Sequence, residues 1–228
     1  GMPQFAAAAK ALAIDGSAWH GWLESARADY LEWQKPRTIP GRVQLPEIVA
    51  WMRQRLPENS IICTGAGNFS GWWQRYWRFT GMRTQVAPTS GAMGYGVPAG
   101  VAAKLAHPDR IVVSANGDGD FLMNGQELAT AAQYGLKIVF MVVNNGMYGT
   151  IRMHQEREYP GRVSATHLRN PDFAAYARAF GGHGETVTKT EEFAPAFQRA
   201  VLSGKVAVID LKVDPEALTT RATLSEIR

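Results

Sequence analysis

Two apolar runs, Ile111-Val112-Val113 and the stretch from Leu136 to Val143, punctuate a chain whose hydrophobic and polar residues otherwise alternate at helical or strand spacing. Each run has the length and β-branched content of a strand buried on both faces of a parallel sheet. The stretch between them, 121–134, reads as a helix. The same pattern extends along the chain. It predicts strands at 60–64, 85–87, 111–115, 137–143, 185–187 and 206–212. It predicts helices at 46–55, 70–79, 92–107, 122–134, 148–157, 171–180 and 191–202. Strands alternating with helices argue for an α/β fold: a doubly wound, mostly parallel sheet with helices on both faces and right-handed crossovers. Ahead of it lie two helical patterns, 4–13 and 17–33. Ser17 is placed to cap the second, with Trp22, Leu23, Ala26 and Tyr30 along one face. Lys35-Pro36 through Pro40-Gly41 is a linker. The expected organisation is a helical preface and linker over 1–41, the α/β domain over 42–213, and a polar tail over 214–228 that either covers the site or frays.

Polar residues at the ends of the two runs carry the chemistry. Asp118 sits in Gly117-Asp118-Gly119 after the first run, and Asn144-Asn145 follows the second. A strand–helix–strand unit brings the carboxyl ends of its strands together at the edge of the sheet where such folds bind ligands. A carboxylate and an amide oxygen converging there suit Mg²⁺, which completes its octahedral shell with phosphate and water oxygens. Gly119 lets backbone N–H groups approach a ligand. A helix starting near Phe121 turns its positive end to the same place, which favours a phosphate-bearing anion. Asp120 is read as a cap of that helix rather than a metal ligand. An EF-hand is excluded, because Leu122, Met123 and Ala129 occupy its ligand, turn-glycine and bidentate-glutamate positions.

Composition narrows the field. The 228 residues include 46% hydrophobic and 19% charged, as in an ordinary globular protein, and the net charge of +4 is scattered. No basic stripe interleaved with aromatics points to nucleic acid. No apolar run is long enough for a membrane-spanning helix. The single Cys63 excludes an intrachain disulfide, fits a reducing cytoplasm and reads as a small buried hydrophobe. Trp72, Trp73, Tyr76, Trp77 and Phe79 crowd one predicted helix and belong to the core or to an interface.

Gly117-Asp118-Gly119 followed at this spacing by Asn144-Asn145 resembles the cofactor motif of the thiamine-diphosphate-dependent 2-oxo-acid decarboxylase and acetohydroxyacid synthase superfamily. The phrases 124–131 (Asn-Gly-Gln-Glu-Leu-Ala-Thr-Ala) and 91–98 (Gly-Ala-Met-Gly-Tyr-Gly-Val-Pro) are similar to acetohydroxyacid synthases. The phrase 144–149 (Asn-Asn-Gly-Met-Tyr-Gly) resembles benzoylformate decarboxylase as closely. The likeness covers roughly residues 45–213 and matches the C-terminal, diphosphate-binding domain of that superfamily.

The resemblance implies thiamine diphosphate and Mg²⁺ as cofactors. It puts the metal on the Asp118 carboxylate, the Asn145 side-chain oxygen and the Met147 backbone carbonyl. The cofactor-binding set would comprise Gly67, Asn68 and Phe69 at the diphosphate loop, Gly91, Ala92 and Met93 around the aminopyrimidine, and the segments Gly117, Asp118, Gly119, Asp120 and Asn145, Met147, Tyr148, Gly149. Met93 is the expected wedge that bends the cofactor into a V, bringing its amine near the reactive carbon. Family members often carry Gln and His where Asn68 and Phe69 stand. His154 falls where acetohydroxyacid synthases carry a pocket-shaping Trp. It reads as a substrate contact or a solvated helix residue, and Arg152 as a carboxylate contact or a surface arginine.

The family's activating glutamate belongs to a separate pyrimidine-binding domain, usually on a neighbouring subunit, so no catalytic acid–base residue is expected in this chain. A small 2-oxo-acid substrate, a homo-oligomer and an isolated chain without turnover follow from the resemblance. A flavin, if carried, belongs to domains outside the chain. Two other readings stand beside it: a non-catalytic cofactor-binding subunit of a split enzyme, and an NAD-dependent oxidoreductase using Gly94-Tyr95-Gly96-Val97-Pro98-Ala99. The latter is weakened by Pro98 and by the lack of a ribose-binding acid.

Overall fold

The structure, a computed structural model, describes residues 1–12 and 14–228. The chain divides into two compact units, Gly1–Lys35 and Pro36–Arg228. The first consists of helices α1 (Met2–Ala11) and α2 (Ser17–Trp33). The end expected for α1, Ala13, lies outside the described residues. Ser17 does not cap α2. Gly16 holds that position, Ser17 is already in the first turn, and the Ser17 N–H donates to the Asp15 carboxylate at 2.9 Å.

The second unit begins with the segment expected to be a linker. Ile39 and Val43 are buried, and the Gln44 side-chain amide donates to the Ile39 and Gly41 carbonyls. Residues 36–41 are thereby tied into the α/β unit. Its six strands are β1 (Ile61–Thr64), β2 (Gln85–Val86), β3 (Val112–Gly117), β4 (Val139–Asn144), β5 (His183–Val187) and β6 (Ala207–Lys212). All pair in parallel, in the order β2-β1-β3-β4-β6-β5. Helices α3 (Leu45–Arg55), α4 (Ser70–Tyr76) and α10 (Phe193–Leu202) cover one face. The other is covered by α5 (Gly96–Ala106), α6 (Asp118–Asn124), α7 (Leu128–Gln133) and α9 (Phe173–Ala179). At the carboxyl ends of the strands, α8 (Gly149–Glu158) packs against the short α11 (Leu224–Ile227).

The two cores explain the apolar runs. Along β4, Val139, Met141 and Val143 join one cluster while Phe140 and Val142 join the other. A central strand between two helical layers needs apolar side chains on both faces, and each buried one contributes about 2 kcal/mol. Trp72, Trp73 and Tyr76 are fully buried, so the aromatic cluster of α4 is core rather than interface. Cys63 is buried in the opposite layer, where desolvation pushes its thiol up to about 12. It is a packing residue and not a nucleophile. Among the described residues, no helix is long and apolar enough to cross a membrane.

Three of the departures from the sequence expectation shape the site. The helix predicted from Ala92 starts at Gly96, because Gly94, two residues earlier, adopts a left-handed backbone (φ +81°) that a right-handed helix cannot include. The helix predicted near Phe121 starts at Asp118, so the motif carboxylate lies inside the first helical turn. The 122–134 helix is interrupted by a 3₁₀ turn at Gly125–Glu127. There the Asn124 side-chain amide turns to donate to the Gly94 carbonyl at 2.9 Å.

Candidate functional site

Gly117 pairs with Val143 in the β3–β4 ladder, so the chain leaves both strands side by side with Asp118 and Asn144 as the next residues. The Asn145–Met147 turn then folds back over Asp118. Its middle residue, Gly146, takes φ +71°, and its N–H donates to Asp118 Oδ2 at 2.8 Å. Asp118, Asn145 and Met147 all line a single cleft of about 570 Å³, counted to its open mouth. The cleft spans the carboxyl ends of β1, β3, β4 and β6. The β1/β3 boundary within it is where successive strands switch to the other side of the sheet, the usual ligand crevice of an open α/β fold.

Asp118 is buried. Desolvation raises its carboxyl above the ordinary range, opposed by the Asn170 amide and by the N–H groups of Gly119 and Gly146. Oδ2 accepts from Gly146 and from Asn170 Nδ2 at 2.7 Å, whereas Oδ1 accepts from the Gly119 N–H at 2.9 Å. The Asn145 side-chain oxygen closes its own turn, accepting from the Met147 N–H at 3.2 Å. A strap from the 164–170 loop holds that turn from outside. The Tyr148 N–H donates to the Thr166 carbonyl and the Leu168 N–H to the Gly146 carbonyl, both at 2.8 Å.

Most of the residues singled out from sequence meet in this cleft, including Gly67, Asn68, Phe69 and Met93 on the far wall and Tyr148 and Gly149 on the near one. Gly91 and Ala92 do not line it and are exposed. The Asn68 side chain is engaged within the protein: its Oδ1 accepts from the Thr150 hydroxyl at 3.1 Å, which in turn accepts from the Asn68 N–H. The bare Gly117 admits the Phe69 ring, and the bare Gly119 admits Tyr148, whose ring would stand 2.4 Å from an added Cβ. The glycines thus make room for side-chain packing. His154 is exposed and outside the lining, whereas Ile151, one turn earlier on α8, lines the cleft. Arg152 is committed to the buried Glu156 carboxylate, with Nε donating to Oε1 at 2.8 Å.

Asp120 does not cap a helix. It is buried in the first turn of α6, and its Oδ1 accepts from the Gly94 N–H at 2.7 Å and the Ala66 N–H at 3.2 Å. The carboxylate lies against the bare Cα of Gly65, where an added Cβ would approach both oxygens to 2.1 Å. One side chain therefore ties the turn after β1 to the 91–94 loop. Desolvation raises its carboxyl to about 6 against these two donors. Sequence reading also missed Thr150, Asn170 and Leu218. Leu218 lies in the tail, which is ordered: Ala217, Leu218 and Leu224 are buried and the first two line the cleft.

The donor types suit a hard divalent cation: residues offering a carboxylate, an amide oxygen and a backbone carbonyl line one cleft. Among the described residues lining the cleft there is no Lys, Arg or His, and two carboxylates, Asp118 and Asp120, are present. A diphosphate entering such a cleft needs a bridging cation to offset that charge. The dinucleotide alternative loses its structural context, because its glycine phrase opens α5 only after seven or more residues of irregular chain beyond β2 instead of following a strand directly.

Comparison with known proteins agrees with the cleft. Residues 65–211 match the family described as thiamine pyrophosphate enzyme, C-terminal TPP binding domain. The chain is 35% identical over 221 residues to the acetolactate synthase large subunit of Corynebacterium glutamicum, covering 92% of this chain and 34% of that protein. It is 29% identical over 203 residues to the mitochondrial acetolactate synthase catalytic subunit of Saccharomyces cerevisiae, covering 87% and 29%. A solved structure, the thiamine diphosphate-dependent 4-hydroxybenzoylformate decarboxylase of Rhodococcus jostii RHA1, superposes with a TM-score of 0.74 at 26% identity, covering 80% of this chain and 34% of that one. The chain spans about a third of the length of the curated relatives it matches. With the motif, the all-parallel sheet and the cleft in agreement, the chain belongs to the thiamine pyrophosphate enzymes and carries their C-terminal cofactor-binding domain.

Proposed function

We propose that this chain supplies the diphosphate- and Mg²⁺-binding half of the site of an acetolactate-synthase-like enzyme acting on small 2-oxo acids, by decarboxylation or carboligation. One observation carries the reading: Asp118, Asn145 and Met147 converge on a cleft that offers a polyphosphate no cationic side chain. The Asp118 carboxylate, the Asn145 side-chain oxygen and the Met147 carbonyl would hold the cation. Thiamine diphosphate, when bound, supplies the electron sink for loss of CO₂ from a 2-oxo acid. The chain's own residues bind and orient. The apolar side chains of Phe69, Trp72, Val143 and Leu218 exclude water from the cleft, which strengthens every interaction of the Asp118 carboxylate within it. Met93, on the same cleft, is the proposed wedge under the cofactor.

No glutamate lines the cleft among the described residues. The proposal assigns that group to a pyrimidine-binding domain of a longer parent or of a partner subunit in a homo-oligomer. The chain alone is then inactive. His154 stands outside the cleft and meets substrate only in that larger assembly.

Isothermal calorimetry with thiamine diphosphate tests the reading. Binding is expected with Mg²⁺ and lost in EDTA, with no heat from NAD, and Asp118→Ala is expected to abolish the metal-dependent part. Undiminished affinity in Asp118→Ala overturns the metal assignment. Turnover of pyruvate by the 228-residue chain alone overturns the proposed inactivity.

A further inference from the structure

Asp118 is anchored by a residue far from it in sequence. Asn170 precedes α9 and reaches back to donate from Nδ2 to Asp118 Oδ2 at 2.7 Å and to Asn144 Oδ1 at 2.9 Å. Asn144 in turn donates from its own Nδ2 to Asp210 Oδ1 at 3.0 Å, and the other oxygen of Asp210 pairs with Lys212 Nζ at 2.7 Å. Asn144, Asp118 and Asp210 are buried. The network therefore runs from the cleft, across the ends of β4 and β6, to a partly exposed lysine.

The direction of every bond in this chain is fixed. A flipped Asn170 amide would set its oxygen against two acceptor oxygens. A flipped Asn144 amide would set its oxygen against the Asp210 carboxylate and its NH₂ against that of Asn170. Only this arrangement sets a donor against an acceptor at each of these contacts, and it occupies Oδ2 of Asp118 with two donors while Oδ1 is left to accept from the Gly119 N–H and toward the cleft. Free rotation of the Asp118 carboxyl is thereby blocked. A carboxylate held by outer hydrogen bonds presents a defined oxygen to a cation without an ordering cost on binding.

We infer that Asn170 is a positioning residue for the cation site, holding the Asp118 carboxylate in its ligating orientation through a hydrogen-bond chain that continues to Asn144, Asp210 and Lys212. The inference rests on the proposed role of Asp118 as a cation ligand. Asn170 does not line the cleft and acts through Asp118. Loss of such an outer-shell partner commonly weakens metal affinity roughly 10- to 100-fold.

The test is Mn²⁺ affinity, read by electron paramagnetic resonance of the free ion in the presence of thiamine diphosphate, for wild type, Asp118→Ala, Asn170→Ala and Asn170→Asp. Asn170→Asp keeps the side-chain volume, removes the donor and serves if the alanine variant fails to fold. Ser114→Ala, which removes a buried hydroxyl bonded to the Gly96 carbonyl, controls for general loosening. The inference expects either Asn170 variant to bind Mn²⁺ roughly 10- to 100-fold more weakly, with Ser114→Ala unchanged and the unfolding midpoint of the metal-free Asn170 variant no lower than that of Ser114→Ala. Asp118→Ala losing Mn²⁺ while both Asn170 variants keep wild-type affinity overturns the inference and leaves the proposed function standing. Wild-type Mn²⁺ affinity in Asp118→Ala overturns the proposed function, and the inference with it. Equal weakening in Ser114→Ala and the Asn170 variants also overturns the inference, since general loosening then accounts for it.

Discussion

Asp120 makes opposing contributions that substitution separates. Its carboxyl moves from 3.8 to about 6 on folding, with burial the leading cause. At about 1.4 kcal/mol per pKa unit, ionising it in the folded protein costs about 3 kcal/mol more than in the unfolded chain. A group raised in this way binds its proton more tightly when folded. Stability is therefore highest below 3.8, falls as pH climbs to about 6, and is level above. Asp120→Asn removes the charge and keeps an oxygen to accept from Gly94 and Ala66. Its new NH₂ takes the place of Oδ2, which has no partner in the structure, at a cost of about 2 kcal/mol. The net expectation at pH 7.5 is a protein about 1 kcal/mol more stable than wild type. Asp120→Ala also removes the charge but strands both N–H groups at about 2 kcal/mol each, and so should lie about 3 kcal/mol below Asp120→Asn once the small void is included. Urea unfolding in EDTA, between pH 4 and pH 8, measures all three proteins. Asp120→Asn should flatten part of the wild-type decline between pH 4 and pH 6. An alanine variant as stable as the asparagine one, or an unchanged decline in Asp120→Asn, refutes the role of Asp120 as the tie between Ala66 and Gly94.

Two further outcomes follow from the same geometry. Gly119→Ala puts a methyl 2.4 Å from the Tyr148 ring; it should displace Tyr148 and weaken thiamine diphosphate binding at least tenfold by calorimetry, and unchanged affinity would show that the tyrosine is not part of the cradle. Glu156 accepts from the Gly161 N–H, Arg152 and Arg228, which together hold its carboxyl down to about 2 against an ordinary 4.5. Its contribution is complete above 4.5 and is lost as pH falls through about 2. The stability gap between wild type and Glu156→Gln in acid titration should therefore close across that window, and a gap that persists at pH 2 contradicts the assignment.

Much of this was legible in the sequence because it depends on local pattern. The runs at Val112 and Val139 announce buried parallel strands through side chains needed on both faces, and parallel pairing then forces Asp118 and Asn145 to one edge. What was hidden depends on the chain returning from a distance. Asn170 carries no periodic signal and gains its role only because the 164–170 strap folds over the Gly146 turn. Asp120 looked like a helix cap because the helix was expected to begin after it. With α6 beginning at Asp118, its side chain points instead at the bare Gly65 and at Gly94. The polar composition of 214–228 concealed the buried Leu218 and Leu224, and Leu218 makes the tail a wall of the cleft.

The central claim is that one divalent cation joins Asp118, Asn145 and Met147 to a diphosphate. Anomalous diffraction from crystals grown with Mn²⁺ and thiamine diphosphate tests it most directly. The account predicts a single manganese peak within about 2.3 Å of an Asp118 carboxylate oxygen, the Asn145 side-chain oxygen and the Met147 carbonyl. A cofactor bound in the cleft with no peak there, or with manganese on other residues, contradicts it.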